Sequence, residues 1–236
     1  MVTVFDEPGY LQHDAARLSH LASLGLSLVG RSILIVGAGP GNHAAFYARE
    51  RGCRVEVPDA RSELVRETLS RYAAEVAAGW LNATVMDVER PGSFTGRWDV
   101  VHCYGLLYHL GFPGRAIANL SAWGRDLLLL ETCVAGDDEV GHQLMEDPTD
   151  PRNGVRGIGS RMTRAWIARE LRQWYDHVYF AILQPRHEEF PLDWRVPLGP
   201  GNHRAVFVAS RRPLDLLEGT TLCREIPTLQ EAIGWS

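Results

Sequence analysis

The sequence predicts an α/β fold: a doubly wound, mainly parallel sheet with helices on both faces. Three observations predict it. Residues 32–59 read as strand, glycine turn, helix, strand and terminal acid. Short apolar runs then alternate with helical patterns as far as residue 131, which implies right-handed crossovers. A chain of 236 residues, 45% hydrophobic and 22% charged, can bury one sizeable core.

The elements follow in chain order. Leu11, Ala15, Leu18, Leu21, Ala22 and Leu24 fall at mostly helical spacing, so an amphipathic helix over about 11–25 covers a sheet edge or the mouth of the site. The apolar run at 33–36 suits a strand buried on both faces. Gly37, Gly39 and Gly41 then allow a tight turn whose backbone approaches a ligand, and the helix it opens directs free amides and its positive dipole end at that ligand. A second strand ends in Asp59, 18 residues beyond Gly41, where a carboxylate accepts hydrogen bonds from a ribose diol. Ser62 suits the N-cap of a helix to about residue 76, and 82–87 read as a third strand ending in Asp87. Residues 98–104 form a fourth strand, 113–123 its helix and 126–131 a fifth strand. Residues 135–162, rich in Gly, Asp and Pro, read as a long connection of the kind that is usually functional or disordered. Thr163 caps a helix to about 175; strand-like 177–183 and 204–209 flank an irregular stretch at 184–202. The expected organisation is one domain over 1–211 and a tail over 212–236 with a short helical pattern at 229–233.

Composition narrows the chemistry. All 24 basic residues are arginine, so Schiff-base chemistry, a phosphate-loop lysine and a lysine general base are excluded. Cys53, Cys103, Cys133 and Cys223 form no Cys-x-x-Cys pair and read as small buried hydrophobes. No run approaches the roughly 18 apolar residues of a membrane span, and the acidic N-terminal segment lacks a basic stretch before an apolar one, so a cytoplasmic protein is expected. A net charge of −5 gives no overall footprint for nucleic acid, although a local arginine patch is compatible with it; a small acceptor is favoured.

An adenosine-containing cofactor is the first inference, and spacing separates its classes. A dinucleotide fingerprint places its third small residue at 42, which is Asn42 here. Glycines at 37, 39 and 41 instead give Gly-x-Gly-x-Gly, and over roughly residues 30–211 the chain resembles the Rossmann-like S-adenosylmethionine-dependent methyltransferases. That resemblance implies seven strands with the last antiparallel, and S-adenosyl-L-methionine as cofactor with S-adenosyl-L-homocysteine as product. It further implies Asp59, with Ala60 beside it, for the ribose hydroxyls, Asp87 for the adenine amino group, Val88 for packing on adenine, and Tyr104 in the cofactor site. Ile35 stands where the family often has an acid, and Ile-Val-Gly-Ala-Gly-Pro also opens many flavoproteins. An NAD(P)- or FAD-dependent oxidoreductase and a non-catalytic adenosyl-binding regulatory module therefore stay open as alternatives.

The segment Gly105-Leu-Leu-Tyr-His-Leu-Gly-Phe-Pro113, with Leu-Glu131-Thr before a later Gly-Asp137, is similar to the methyltransferase branch that includes the wobble-uridine carboxymethyl transferases of transfer RNA. The basic extension of a transfer-RNA enzyme is not evident. Tyr108 and His109 lie just past the fourth strand, at the edge where open α/β sheets bind ligands. His109 can accept an acceptor proton or pack the following helix, and Tyr108 can orient the acceptor or fill a hydrophobic gap. Asp137, Asp138, Glu139 and His142 read as a solvated acidic loop sooner than a metal site, and no metal is expected. The irregular stretch 186–194 reads either as lining the acceptor pocket together with Arg161, Trp166 or Trp194, or as a surface loop pinned by its aromatics. Arg17 reads as an exposed helical arginine, its other reading being a partner for the methionine carboxylate.

Overall fold

The computed structural model describes residues 4–92, 94–137, 140–190, 198–199, 203–214 and 223–225. A 3-10 turn at Val4–Asp6 leads into α1 (Pro8–Ser23), whose proline at the first turn costs no hydrogen bond. Next come β1 (Ser32–Ile35), α2 (Ala44–Arg51), β2 (Arg54–Asp59), α3 (Ser62–Arg71), α4 (Ala73–Ala77), β3 (Leu81–Val85) and β4 (Trp98–Tyr104). The second half holds α5 (Pro113–Trp123), β5 (Gly124–Val134), β6 (His142–Met145), β7 (Ile158–Arg161), α6 (Arg164–Arg172), β8 (His177–Ala181), β9 (His203–Ser210) and β10 (Cys223–Glu225).

The main sheet has the order β10-β8-β9-β5-β4-β1-β2-β3. Strands β1 to β5 run parallel to one another, and β9 runs antiparallel to both β5 and β8. The expected seven strands with the last one reversed are therefore present, and β10 adds an eighth at the β8 edge from within the 212–236 tail. Side chains alternate between two cores because each central strand is covered twice. Ile33 and Ile35 face the core shared with α2 and α3, whereas Leu34 and Val36 face the one shared with α5 and α6.

Several expectations need correction. The α1 face that turns inward is polar: His13, Asp14, Arg17 and His20 are buried with Leu21, while Leu11, Ala15 and Ala22 are exposed. Ion pairs described below hold that face down and override the apolar stripe. Ser62 is the first residue of α3 and does not cap it; Arg61 holds the cap position. The helix expected through residue 76 breaks at Tyr72, whose hydroxyl donates to Gly41 O at 2.7 Å. Residues 135–162 are not all loop, since β6 and β7 pair there as an antiparallel hairpin. Thr163 does cap α6, its hydroxyl accepting from Trp166 N at 3.1 Å. Cys53, Cys103 and Cys133 are buried and unpaired thiols, as read from the sequence. The helical pattern at 229–233, Trp194, Asp138 and Glu139 lie outside the described residues. Among the described residues no helix is long and apolar enough to cross a membrane.

Candidate functional site

The carboxyl ends of β1 to β4 open onto a cleft. Gly37, Gly39, Asp59, Ala60, Asp87, Val88 and His109 all line it, so seven sequence-predicted residues from four segments meet in one place. The turn is built on positive φ at Gly37, Gly39 and Gly41, with values of 68°, 56° and 79°. Gly37 is the tightest position: a Cβ there would stand 2.7 Å from the Leu106 side chain. Any larger residue would push the β1 turn away from the β4 loop and close the floor of the cleft.

Asp59 is fixed by backbone amides. Its Oδ2 accepts from Gly39 N at 3.1 Å and its Oδ1 from Arg61 N at 2.9 Å. Burial pushes its carboxyl up to about 6, and those amide bonds only partly oppose the rise. Flat apolar groups from Val36, Met86, Val88, Leu106 and Leu110 line the same cleft, and Asn119 pins the Val88 carbonyl at 2.7 Å. Asp87 and Glu89 both pair with Arg156, which reaches them from the connection between β6 and β7. That connection is tied down a second time, because Arg61 Nη2 lies 2.9 to 3.1 Å from the carbonyl oxygens of Pro148, Asp150 and Asn153.

A second, smaller cleft lies on the other side of the glycine turn, lined by Tyr104, Asp14, Arg17 and Asn42. Gly41 lines neither cleft; its Cα abuts Thr68 and Tyr72 and lets α3 pack beneath the turn. Arg17 is 3% exposed, contrary to the exposed position expected for it. Its Nη2 donates to Glu131 Oε2 at 2.7 Å and its Nη1 to Asp14 Oδ1 at 3.2 Å. Glu131 is fully buried, and Arg204 donates to its other oxygen at 3.0 Å. Burial opposes ionisation of Glu131, but the two guanidinium groups outweigh it and hold the carboxyl low. Asp14 is likewise opposed by burial, and His43, Arg17 and Asn42 together hold it down to about 2. Below the turn a buried chain continues from Asp14 through His43 and His102 to Tyr47, with contacts of 3.1, 3.0 and 2.9 Å.

Tyr108 lines neither cleft. Its ring is sandwiched by Arg161 and Arg204, with guanidinium carbons 4.9 and 4.8 Å from the centroid, and its hydroxyl accepts from Arg204 at 3.2 Å. His109 is different. Its Nδ1 lies 2.8 and 2.9 Å from the two oxygens of Glu146, whose carboxylate also accepts from Gly154 N. Held this way, Nδ1 carries the proton and Nε2 the lone pair. Trp166 packs against the core beside α5. Asp137 is occupied by Arg164 and by Leu198 N, and His142 lies on the exposed hairpin, so these two do not converge on a metal position.

Sequence reading missed Glu131, Arg204, Glu146, Arg61 and Arg156 as parts of the site. One signal was present: Glu131 closes an unbroken run of four leucines, and an acid at the end of a strand buried on both faces requires a cation.

No family model matches this sequence, and no curated protein matches it. Solved structures do. The N-terminal domain of EvdMO1, solved in the presence of SAH and D-fucose, is 22% identical with a TM-score of 0.62, covering 84% of this chain and 82% of that one. The magnesium protoporphyrin IX methyltransferase ChlM from Synechocystis PCC 6803, with bound SAH, is 16% identical with a TM-score of 0.58, covering 90% and 89%. A 1,6-didemethyltoxoflavin-N1-methyltransferase from Burkholderia thailandensis is 19% identical with a TM-score of 0.56, covering 86% and 81%. The fold is the Rossmann-like methyltransferase fold. The order of β1 to β5, the reversed β9 and the glycine turn over the sheet edge all belong to it.

Proposed function

We propose that this protein is an S-adenosyl-L-methionine-dependent methyltransferase acting on a small-molecule acceptor. The observation that carries the reading is the convergence of Gly37, Gly39, Asp59, Asp87 and Val88 on one cleft of this fold. The residues present fit the cofactor: a buried carboxylate anchored by two amides, an apolar slot and a second cleft that holds one carboxylate and one guanidinium. Asp59 receives the ribose hydroxyls, Asp87 the adenine amino group and Val88 the ring face. Tyr104 closes the sulfonium end. Asp14 and Arg17 present opposite charges to the amino-acid end, so Asp14 supplies from α1 the acid that Ile35 does not.

When bound, the cofactor supplies a methyl group on a sulfonium sulfur, which an acceptor heteroatom displaces in line. His109 Nε2 takes the acceptor proton, and Glu146 stabilises the imidazolium so formed. Tyr108, held by Arg161 and Arg204, positions the loop that carries His109. A sugar-bearing acceptor is supported by the neighbour solved with D-fucose. The likeness to the wobble-uridine branch is kept for the Leu107-Tyr108-His109 turn, without its transfer-RNA substrate. The site lies within residues 1–211, taken as the functional domain of a cytoplasmic enzyme.

Calorimetry with S-adenosylhomocysteine, NADH, NADPH and FAD tests the reading. Binding of S-adenosylhomocysteine alone is expected, and binding of the dinucleotides alone would overturn it. A labelled-methyl screen of candidate acceptors separates an enzyme from a binding module, and His109→Asn should then lower kcat about a hundredfold with cofactor affinity kept.

A further inference from the structure

His13, His187 and Glu189 take no part in the steps above. They meet where α1 crosses the segment at 184–190, and one donor atom from each lies within 4.8 Å of the other two. His13 Nε2 is 3.7 Å from Glu189 Oε2, and His187 Nδ1 is 3.9 Å from it. Both separations are too long for hydrogen bonds. They exceed by about 0.5 Å the roughly 3.3 Å between two ligands of a tetrahedral ion with bonds of about 2.05 Å. Among the described residues His13 Nε2 is buried with no hydrogen-bond partner, and the residue is 9% exposed. A buried polar nitrogen left in that state is costly.

We propose that His13, His187 and Glu189 form a binding site for a divalent transition-metal ion of the zinc class, which clamps α1 to residues 184–190. Two imidazoles and one carboxylate suit such an ion and leave a coordination position open. The surroundings carry excess negative charge, since Arg17 and Arg204 face three carboxylates, Asp14, Glu131 and Glu189. Arg204 Nε donates to Glu189 Oε2 at 2.6 Å, the supporting bond that ligating carboxylates commonly carry. The two rings are stacked 4.2 Å apart at 17°, so one must turn about its Cβ–Cγ bond to aim at a shared ion. His187 is the ring to turn, because it sits on a loop with its side chain 22% exposed.

The test strips the full chain with a chelator and titrates it with Co2+, followed by its visible d–d spectrum, and with Zn2+, followed by calorimetry. One ion per chain is expected, bound at least tenfold more weakly by His187→Ala and by Glu189→Gln, with His142→Ala as an exposed control that keeps full affinity. Zn2+ should also slow amide exchange across residues 8–23 in the wild-type chain and in neither site variant. Absence of uptake at micromolar Zn2+, equal uptake by both site variants, or uptake that leaves exchange in 8–23 unchanged would each overturn the proposal.

Discussion

The walls of the two clefts that flank the glycine turn are held by different physics. On the cofactor wall, Gly37, Gly39 and Asp59 lie within a short stretch of chain, and backbone amides fix the carboxylate. Behind the wall of the smaller cleft, Glu131 is joined to Arg17 across 114 residues and to Arg204 across 73, through charged side chains alone. The first wall is set by local chain geometry and has an acid that titrates near neutrality. The second is set by tertiary ion pairing and keeps its charges fixed. A turn can tolerate the loss of one side-chain contact, whereas a buried ion cluster cannot lose one partner without stranding the others.

The largest test of that contrast is Glu131→Gln. It leaves two buried guanidinium groups short of a counter-charge, and urea denaturation should show a loss of about 3 to 5 kcal/mol. A loss below about 1 kcal/mol would mean that the ion cluster is not what holds α1. Next is Asp59→Ala, which removes the carboxylate we propose for the ribose hydroxyls together with its bond to Gly39 N. S-adenosylhomocysteine should bind about a hundredfold more weakly by calorimetry, the equivalent of one or two charge-assisted hydrogen bonds.

A pH titration then sharpens the comparison. The ionised Asp59 is the better acceptor for hydroxyl donors, and its carboxyl sits at about 6, so affinity should fall about fivefold as pH drops from 6 to 5. The same raised value means that the folded chain binds an extra proton between about pH 4 and 6, so the Asp59 contribution to stability decreases as pH rises through that window. Asp14 runs the other way. Held at about 2, its contribution is complete above pH 4 and is lost only as pH falls toward 2. Affinity that stays flat to pH 5 would erase this difference between the walls. The smallest expected effect on affinity is that of Arg156→Gln. Arg156 and Asp87 are each about a quarter exposed, and their pair contributes at most about 1 kcal/mol, so releasing Asp87 should tighten cofactor binding a few-fold, while the buried Glu89, stranded without its cation, sets the larger stability cost.

This division also explains what the sequence made legible. Ile33 to Gly41, Asp59 and Asp87 announce themselves because strand period, turn chemistry and crossover length are local properties. Tyr108 was placed at the right sheet edge, but its sandwich between Arg161 and Arg204 depends on where β7 and β9 return. Arg17 was misplaced for the same reason. Apolar spacing assigned α1 an inward face, and partners on β5 and α2 rotated the helix to another one. Glu146 lies 37 residues from His109 in a stretch whose hairpin pairing leaves no strong period, so nothing in its neighbourhood announced the partnership.

Arg61 holds the β6–β7 connection by three main-chain carbonyls and by none of its side chains. Anchorage of that type is indifferent to which amino acids occupy positions 148, 150 and 153. The covering segment is thereby free to drift in sequence at those positions, and its cleft-lining side chains other than Arg156 can be exchanged without loosening the strap. The chemistry of the cleft lining and retention of the strap are separately adjustable in this chain.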